Sequence, residues 1–329
     1  MAITLADAAL NTQDDYDTSV INEFRKSNAL LDVMQFAQAV NPAGGGATLE
    51  YSYRRQETQR GADFRAINTE YTPDKVTTKK YTTTLAEIGG SYEIDRRIAH
   101  LGNAASDEVA LQTSNLVTAV NAKFADAIIN GDTAVDADGF DGLDKALAGS
   151  TTELDGKGSD WSQFTNSESA LPVIDTIDEL MAELDGPPTV LIANKAVMAK
   201  LRAAGRRANL YVSSPVEGLS NDNGLQVVRH TFGGVVLIDP GAKPGTNDPI
   251  IPIAEDGTTD IYAVRIGLNG FHGVTTVGGN LLQTKFPDFS TPKAVKTGEV
   301  YLENVGVALK ATKAAAVLRG VKVRPGAGA

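Results

Sequence analysis

Apolar and polar positions change period several times along this chain, and each change marks an element. Val20, Ile21, Phe24, Leu31, Met34 and Phe36 recur at three-to-four spacing, which predicts a helical segment within roughly residues 1–45. Asp14, Asp15 and Asp17 precede it, and acidic side chains suit the positive end of a helix. The segment ends in AVNPAGGG, where Pro42 and Gly44 to Gly46 break helical structure. A phosphate-cradling loop would need its glycines to lead through GK[ST] into a helix. Here Ala47 and Thr48 lead into a strand, so the glycine run reads as a flexible joint.

The period then shortens to two. TLEYSYRRQ and VTTKKYTTTLAEIGGSYEI alternate and are rich in Tyr, Thr and Val, which predicts two long strands. Between them lies the polar stretch ETQRGADFRAINTEYTPDK, with Phe64 and Ile67 as its main bulky apolar residues. Two strands with so few apolar side chains cannot bury a core alone. Long extended insertions of this kind are usually functional. The ribbon becomes stable if it lies on another molecule, and Glu57, Arg60, Asp63, Arg65, Glu70 and Lys75 are its candidate contact residues.

A long amphipathic helix is expected next, with Asn103 as N-cap and Asp107 and Glu108 in its first turns. Val109, Leu116, Val120, Phe124 and Ile128 form its apolar stripe, and Asn130-Gly131 stops it. At about 27 residues it would span about 40 Å. The acidic stretch GDTAVDADGFDGLDKALAGSTTELDGKGSD comes after it and can be read as solvated turns or as an ion site, although it misses the EF-hand register.

Residues 169–290 alternate helix and strand. SALPVIDTIDELMAELD places Val173, Ile177, Leu180 and Leu184 on one face and ends before Pro187-Pro188. TVLIAN reads as a short buried strand and KAVMAKLRAA as a helix ending at Gly205, while LQVVRHTFGGVVLIDPG, DIYAVRIG and LLQTKFPDF are strand-like. The class is α+β. The last segment alternates through Val305, Val307 and Leu309 and has no acid after Glu303. Its basic character can mark a face turned to an acidic surface, a face turned to DNA, or a chance of local composition. No repeat of 20–50 residues is visible.

Composition narrows the function. The 329 residues carry 30 basic and 41 acidic side chains, a net charge of -11, so the chain is a poor non-specific ligand for DNA although a permissible wall around it. Cysteine is absent, which excludes disulfides, thiolate chemistry and Cys-ligated metal sites. The start lacks the basic-then-apolar pattern of a secretory signal, and no stretch approaches the ~20 apolar residues of a membrane helix. Folding and assembly in a cytoplasm are the expectation.

No enzymatic constellation stands out. His100, His230 and His272 form no metal-binding pair and read as packing or hydrogen-bonding residues. GxSxG is absent, and GLNGFHG has the wrong spacing for a dinucleotide loop. The expectation is no catalytic residue, no cofactor and no metal. A carboxylate pair hidden in a cleft keeps a hydrolase open as an alternative.

The order of these elements resembles the tailed-bacteriophage major capsid proteins of the Hong Kong 97-type fold, over nearly the whole chain. Two motifs carry the likeness best: TVLIANKAVMAKLRAA, similar to that family's strand, Asn turn and helix, and FGGVVLIDPGAKPG, similar to its Gly-x-x-Val strand and Pro-Gly turn. DIYAVRIG and GVTT come next as the family's strand pair. The resemblance implies an N-terminal arm (1–46), an E-loop hairpin (47–98), a spine helix with the first part of the P domain (99–168), an A domain (169–290) and the rest of the P domain (291–329). It further implies hexamers and pentamers tiled into an icosahedral shell around double-stranded DNA, bound without sequence specificity. The E-loop would reach over a neighbour. A portal protein and a decoration protein are the implied partners, and the virion capsid the implied location. Such proteins commonly carry a long scaffolding domain before the arm. Its absence here leads to the expectation of a separate scaffolding protein.

Some members weld the shell by an isopeptide bond between an E-loop lysine and a P-domain asparagine, with a glutamate as base. Lys75, Lys79, Lys80 and Asn304 match the lysine and the asparagine. The acid has no match: Lys310 and Ala311 stand where it would fall, and strand alternation would turn Glu303 away from Asn304. A shell held without covalent links is therefore expected. An encapsulin-type compartment enclosing a protein cargo shares the fold and is the nearest alternative.

Overall fold

The computed structural model describes residues 29–37, 49–99, 108–163, 166–208, 212–220, 226–276 and 281–326. The apolar positions Val20, Ile21 and Phe24, the glycine joint at 44–46 and the proposed cap Asn103 lie outside them.

In chain order, a helix at Ala29–Val33 runs into β1 (Phe36–Ala37), and β2 (Glu50–Gln56) and β3 (Thr78–Thr84) make the ribbon. β4 (Ala86–Asp95), a helical turn at Arg96–Ala99 and the long helix Glu108–Asn130 follow. Next come a short helix, Leu143–Leu147, then β5 (Glu153–Asp155), the helix Ser167–Ala182, β6 (Val190–Ile192) and the helix Lys195–Arg207. β7 (Val212–Ser220), β8 (Gln226–Phe232), β9 (Val235–Ile238), β10 (Thr258–Val264), β11 (Phe271–Thr275), β12 (Leu282–Lys285), β13 (Val295–Leu309) and β14 (Ala315–Lys322) complete the chain.

The strands form a two-stranded ribbon, a seven-stranded sheet and a five-stranded sheet. The seven-stranded sheet has the order β5-β14-β10-β6-β9-β8-β7 and separates two cores. Alternate residues of its central strands point opposite ways. Val190, Ile192, Tyr262, Val264 and Val317 enter the core shared with the long helix. Leu191, Ile261, Ala263, Ala316 and Leu318 enter the core under the helices Ser167–Ala182 and Lys195–Arg207, where Trp161 also lies. Burial on both faces is why VLIA and IYAV read as unbroken apolar runs. Both covering helices start at asparagine caps: Asn166 accepts from the Ser169 amide, and Asn194 from the amides of Ala196 and Val197.

The five-stranded sheet is organised on β13. That strand pairs with β4 from Val295 to Val305, with β12 from Glu299 to Leu302 and with β11 from Val305 to Leu309. The long helix covers one face, burying Val120, Phe124, Ile128 and Ile129. Each such side chain removed from water contributes about 1.5–3 kcal/mol. Gly90 admits Leu116 of the helix, and Tyr92 bonds Thr113 at 2.7 Å. β1 lies parallel to β11, and the Phe36 ring occupies the place of a side chain at Gly273: a Cβ there would meet it at 2.4 Å.

Several expectations change. In the described part of the first segment only Ala29–Val33 is helical, and Phe36 is extended, because it pairs with β11. The second ribbon strand does not run on to residue 94. It ends at Thr84, and Ala86 enters the other sheet. The long helix has 23 described residues, about 35 Å, against the expected 40. Part of the acidic stretch is structured, as Leu143–Leu147 and β5, because Leu143 and Leu147 are fully buried. β7 had no counterpart among the expected elements, because Ser213, Ser214, Pro215 and Gly218 interrupt its apolar residues. Val305 to Leu309 do not alternate; all five are buried, between the shared core and the ribbon root. β5 and β14 lie in the sheet of β6 and β10, and β11 and β12 lie in the sheet of β13.

Candidate intersubunit surface

The ribbon is the part of the molecule that its own fold explains least. β2 and β3 pair from Glu50↔Thr84 to Gln56↔Thr78, a register that puts Tyr53 against Tyr81. Their rings stack at 5.8 Å, and the Arg55 guanidinium lies 4.3 Å over Tyr81. Beyond the paired stretch, residues 57–75 are all exposed. Phe64 and Ile67 stand out of the tip with relative exposures of 107% and 91%, and Tyr71 with 64%. An exposed cluster of large apolar side chains on an arm without a core is the mark of an interaction surface.

Among the described residues, anchorage is confined to the root. Tyr51 and Leu85 cover Val274 and Ala308 in a small cluster separate from the two main cores. Tyr53 donates to the Leu309 carbonyl at 2.8 Å. Arg55 donates from Nε to the Lys310 carbonyl at 2.9 Å, from Nη1 to Thr312 Oγ1 at 3.1 Å, and from Nη2 to the Leu309 carbonyl. Burial pushes the Tyr53 hydroxyl pKa up, opposed by the Arg55 charge. The ribbon is therefore clamped at one end and bare at the other.

The six expected contact residues lie along that bare part. Glu57 accepts from Tyr81 Oη at 3.1 Å and faces Lys79 at 4.0 Å, close to the paired strands. Arg65 donates to the Thr69 carbonyl at 2.7 Å and lies 5.7 Å over the Tyr71 ring, which shapes the tip. Arg60, Asp63, Glu70 and Lys75 are exposed on the same loop. The structure brings the six onto one arm but not into one cluster. Pattern reading missed the clamp, Tyr53 and Arg55, and also Tyr71.

A second bare surface lies on the five-stranded sheet, opposite the long helix. Residues 87, 89, 91 and 93 of β4 and 295, 297, 299 and 303 of β13 are exposed there. It carries Glu87, Glu93, Glu299 and Glu303 against Lys285, which faces Glu299 at 3.7 Å. The ribbon from 50 to 84 has seven basic and five acidic side chains, the opposite sign.

Nothing comparable marks a catalytic centre. Among the described residues no group of three His, Cys, Asp or Glu could hold a metal ion. Asp239, whose carboxyl burial pushes up, has Lys195 as its ionic partner at 3.7 Å, and no second carboxylate contributes to its shift. The basic tail has a use inside the chain. Arg319 joins Asp144, Glu153 at 2.8 Å and Asp260 at 3.0 Å, and Tyr262 donates to Asp144 at 2.7 Å. At Asn304 a bulge interrupts β13 and φ is +51°, so strict alternation does not apply there and does not by itself turn Glu303 away. No described helix is long and apolar enough to cross a membrane.

No family model and no curated protein matches the chain. Solved structures do, over nearly its full length. The holo-SrpI encapsulin complex from Synechococcus elongatus has a TM-score of 0.64 at 16% identity, covering 98% of this chain and 97% of that one. The capsid of a native GTA particle has a TM-score of 0.60 at 13% identity, covering 98% and 99%. A structure of Mycobacterium phage Bobi has a TM-score of 0.60 at 13% identity, covering 97% and 99%. Most of the similar structures are tailed-phage capsid proteins, and the fold is common to all of them.

Proposed function

We propose, for a chain with the Hong Kong 97-type capsid fold, that it is the major capsid protein of a tailed bacteriophage. One observation carries the reading: an arm anchored only at its root presents Phe64, Ile67 and Tyr71 to solvent, which makes sense once a second copy lies beneath it. On this reading residues 1–46 are the N-terminal arm, 47–98 the E-loop with the ribbon, the long helix the spine, and 169–290 and 291–329 the A domain and the end of the P domain. The neighbour's acidic sheet face with Glu87, Glu93, Glu299 and Glu303 suits the basic ribbon in sign. Arg60, Arg65 and Lys75 then face carboxylates, while Glu57, Asp63 and Glu70 set the register.

Six- and five-membered capsomers close into a shell around double-stranded DNA, assembled in the host cytoplasm with separate scaffolding and portal proteins. Many small contacts repeated around a closed shell supply avidity without a strong single contact. The shell is held without isopeptide links, since Lys310 and Ala311 stand where the glutamate base would fall and Glu303, next to Asn304, is a water-exposed carboxylate and so a weak base; a decoration protein can strengthen it from outside.

The test is removal of residues 58–72 in chains expressed with their scaffolding partner. Wild-type chains should give closed shells by negative-stain microscopy. The shortened chains should keep the thermal midpoint of the buried Trp161 fluorescence but form no stable shells. Unfolding of the shortened subunit, or shells as stable as before, would overturn the reading.

A second reading rests on the SrpI match: an encapsulin-type shell enclosing a cargo protein. The contents decide. Nuclease-protected double-stranded DNA inside purified particles supports the phage reading, and a stoichiometric protein cargo supports the other. For a carboxylate-dependent hydrolase the described residues offer the grouping of Asp144, Glu153 and Asp260, whose carboxylates are tied to Arg319 and so are not left free to act as acid and base.

A further inference from the structure

The ribbon root covers a buried imidazole with one unmatched nitrogen. His272 lies on β11 opposite Ala308 of β13 and is fully buried. Its Nδ1 lies 3.4 Å from the Gly270 carbonyl, which makes Nδ1 the protonated nitrogen of the neutral ring and leaves Nε2 a bare acceptor. Nε2 has no hydrogen-bond partner. A buried polar atom in that state requires an explanation, because protein interiors rarely leave one unmatched.

The surroundings make a second proton on this ring costly. From the ribbon, Tyr51 meets the imidazole edge-on at 6.0 Å, with Tyr53 and Arg55 beyond it on the same strand. From the end of β13 comes Lys310, whose ammonium lies 5.7 Å from the Tyr51 ring and acts on His272 by repulsion. β1, the other neighbour of β11, contributes Phe36 and Ala37. Among the described groups packed here none is a carboxylate. Protonation of Nε2 therefore creates a buried cation beside another cation, with a new N–H and no acceptor. Moving the ribbon root away opens a route to water, because Tyr51 covers the ring and the main cores lie elsewhere.

We propose that His272 is an acid-sensitive latch: its protonation releases the ribbon root from the end of the five-stranded sheet while the body stays folded. The inference concerns the single chain and stands whether or not the chain assembles. Burial first, and Lys310 second, hold the imidazole pKa below its usual 6.5. The closed root binds fewer protons than the open one, so closure is at full strength above about pH 6.5 and weakens as pH falls through the closed-state value.

Hydrogen exchange of the full-length chain, corrected for the intrinsic rate and read between pH 7 and pH 4.5, tests this. An undocked two-stranded ribbon is marginal on its own, so peptides over 50–56 and 78–84 should lose protection by up to about tenfold per pH unit once pH falls below 6.5, levelling off below the closed-state value. Peptides over 190–192 and 258–264 should keep theirs. In His272→Gln and His272→Leu, one polar and one apolar replacement, the ribbon peptides should show no such dependence. Equal acid loosening in either folded variant would overturn the latch. So would loss of protection in ribbon and body together, because acid would then be unfolding the whole chain.

Discussion

Arg55 offers the sharpest check on the picture of an arm clamped at one end. Replacing it with alanine removes two hydrogen bonds from a cation to the carbonyls of Leu309 and Lys310, one to Thr312, and the stacking on Tyr81. Hydrogen bonds to charged groups contribute roughly 1.5–3 kcal/mol each when buried. At this half-buried position about 1 kcal/mol apiece is the suitable figure, so the clamp loses about 3 kcal/mol. At ~1.4 kcal/mol per factor of ten, the root should open on the order of 100-fold more often. The chain has no cysteine, so a thiol at Ala308, buried under Tyr51, is a clean reporter. In an Ala308→Cys background, Arg55→Ala should raise the rate of thiol labelling on the order of 100-fold. The thermal midpoint read by Trp161 should stay within about 1 °C. A labelling change below about fivefold would show that Arg55 is not part of the clamp. A parallel fall in the midpoint would show that ribbon and body open as one unit.

Two further outcomes concern the body and the shell. Arg319→Met should leave Asp144, Glu153 and Asp260 facing one another; with side-chain exposures of 29–39% for the three acids, the loss is about 2 kcal/mol, or about 3 °C in the Trp161 melting midpoint, with the thiol reporter unmoved. Mature particles boiled in denaturant should run as a single band at 34.6 kDa on a gel, and a ladder that withstands reducing agent would place a catalytic acid beside Asn304.

The parts of the fold visible in the sequence were those where one face is wet. Val173, Ile177, Leu180 and Leu184 recur at helical spacing because their helix covers the sheet from one side only. The ribbon is legible for the same reason, and its contact candidates follow one another along the chain. Pattern reading failed where a segment changes neighbours without changing period. Leu85 separates two sheets within one alternating run, and Val305 to Leu309 are covered on both faces. The clamp was hidden by distance: the partners of Tyr53 and Arg55 lie 254–257 residues further on. His272 was expected to be a packing or hydrogen-bonding residue; it is buried, with Nδ1 3.4 Å from the Gly270 carbonyl, but its empty nitrogen depends on which groups surround it, and no local pattern encodes that.

β13 has a mechanical meaning. Its 15 residues make a rod of about 50 Å. The ribbon grips one end through the Leu309 carbonyl, and the exposed Phe286 lies on the approach to the other. Tension entering through the ribbon runs along the strand axis, perpendicular to the hydrogen bonds that tie β13 to β4 and β11. Those bonds resist in shear, all at once, and do not peel one by one. The strand can thus carry a pull applied through the ribbon along its whole length while the sheet around it keeps its shape.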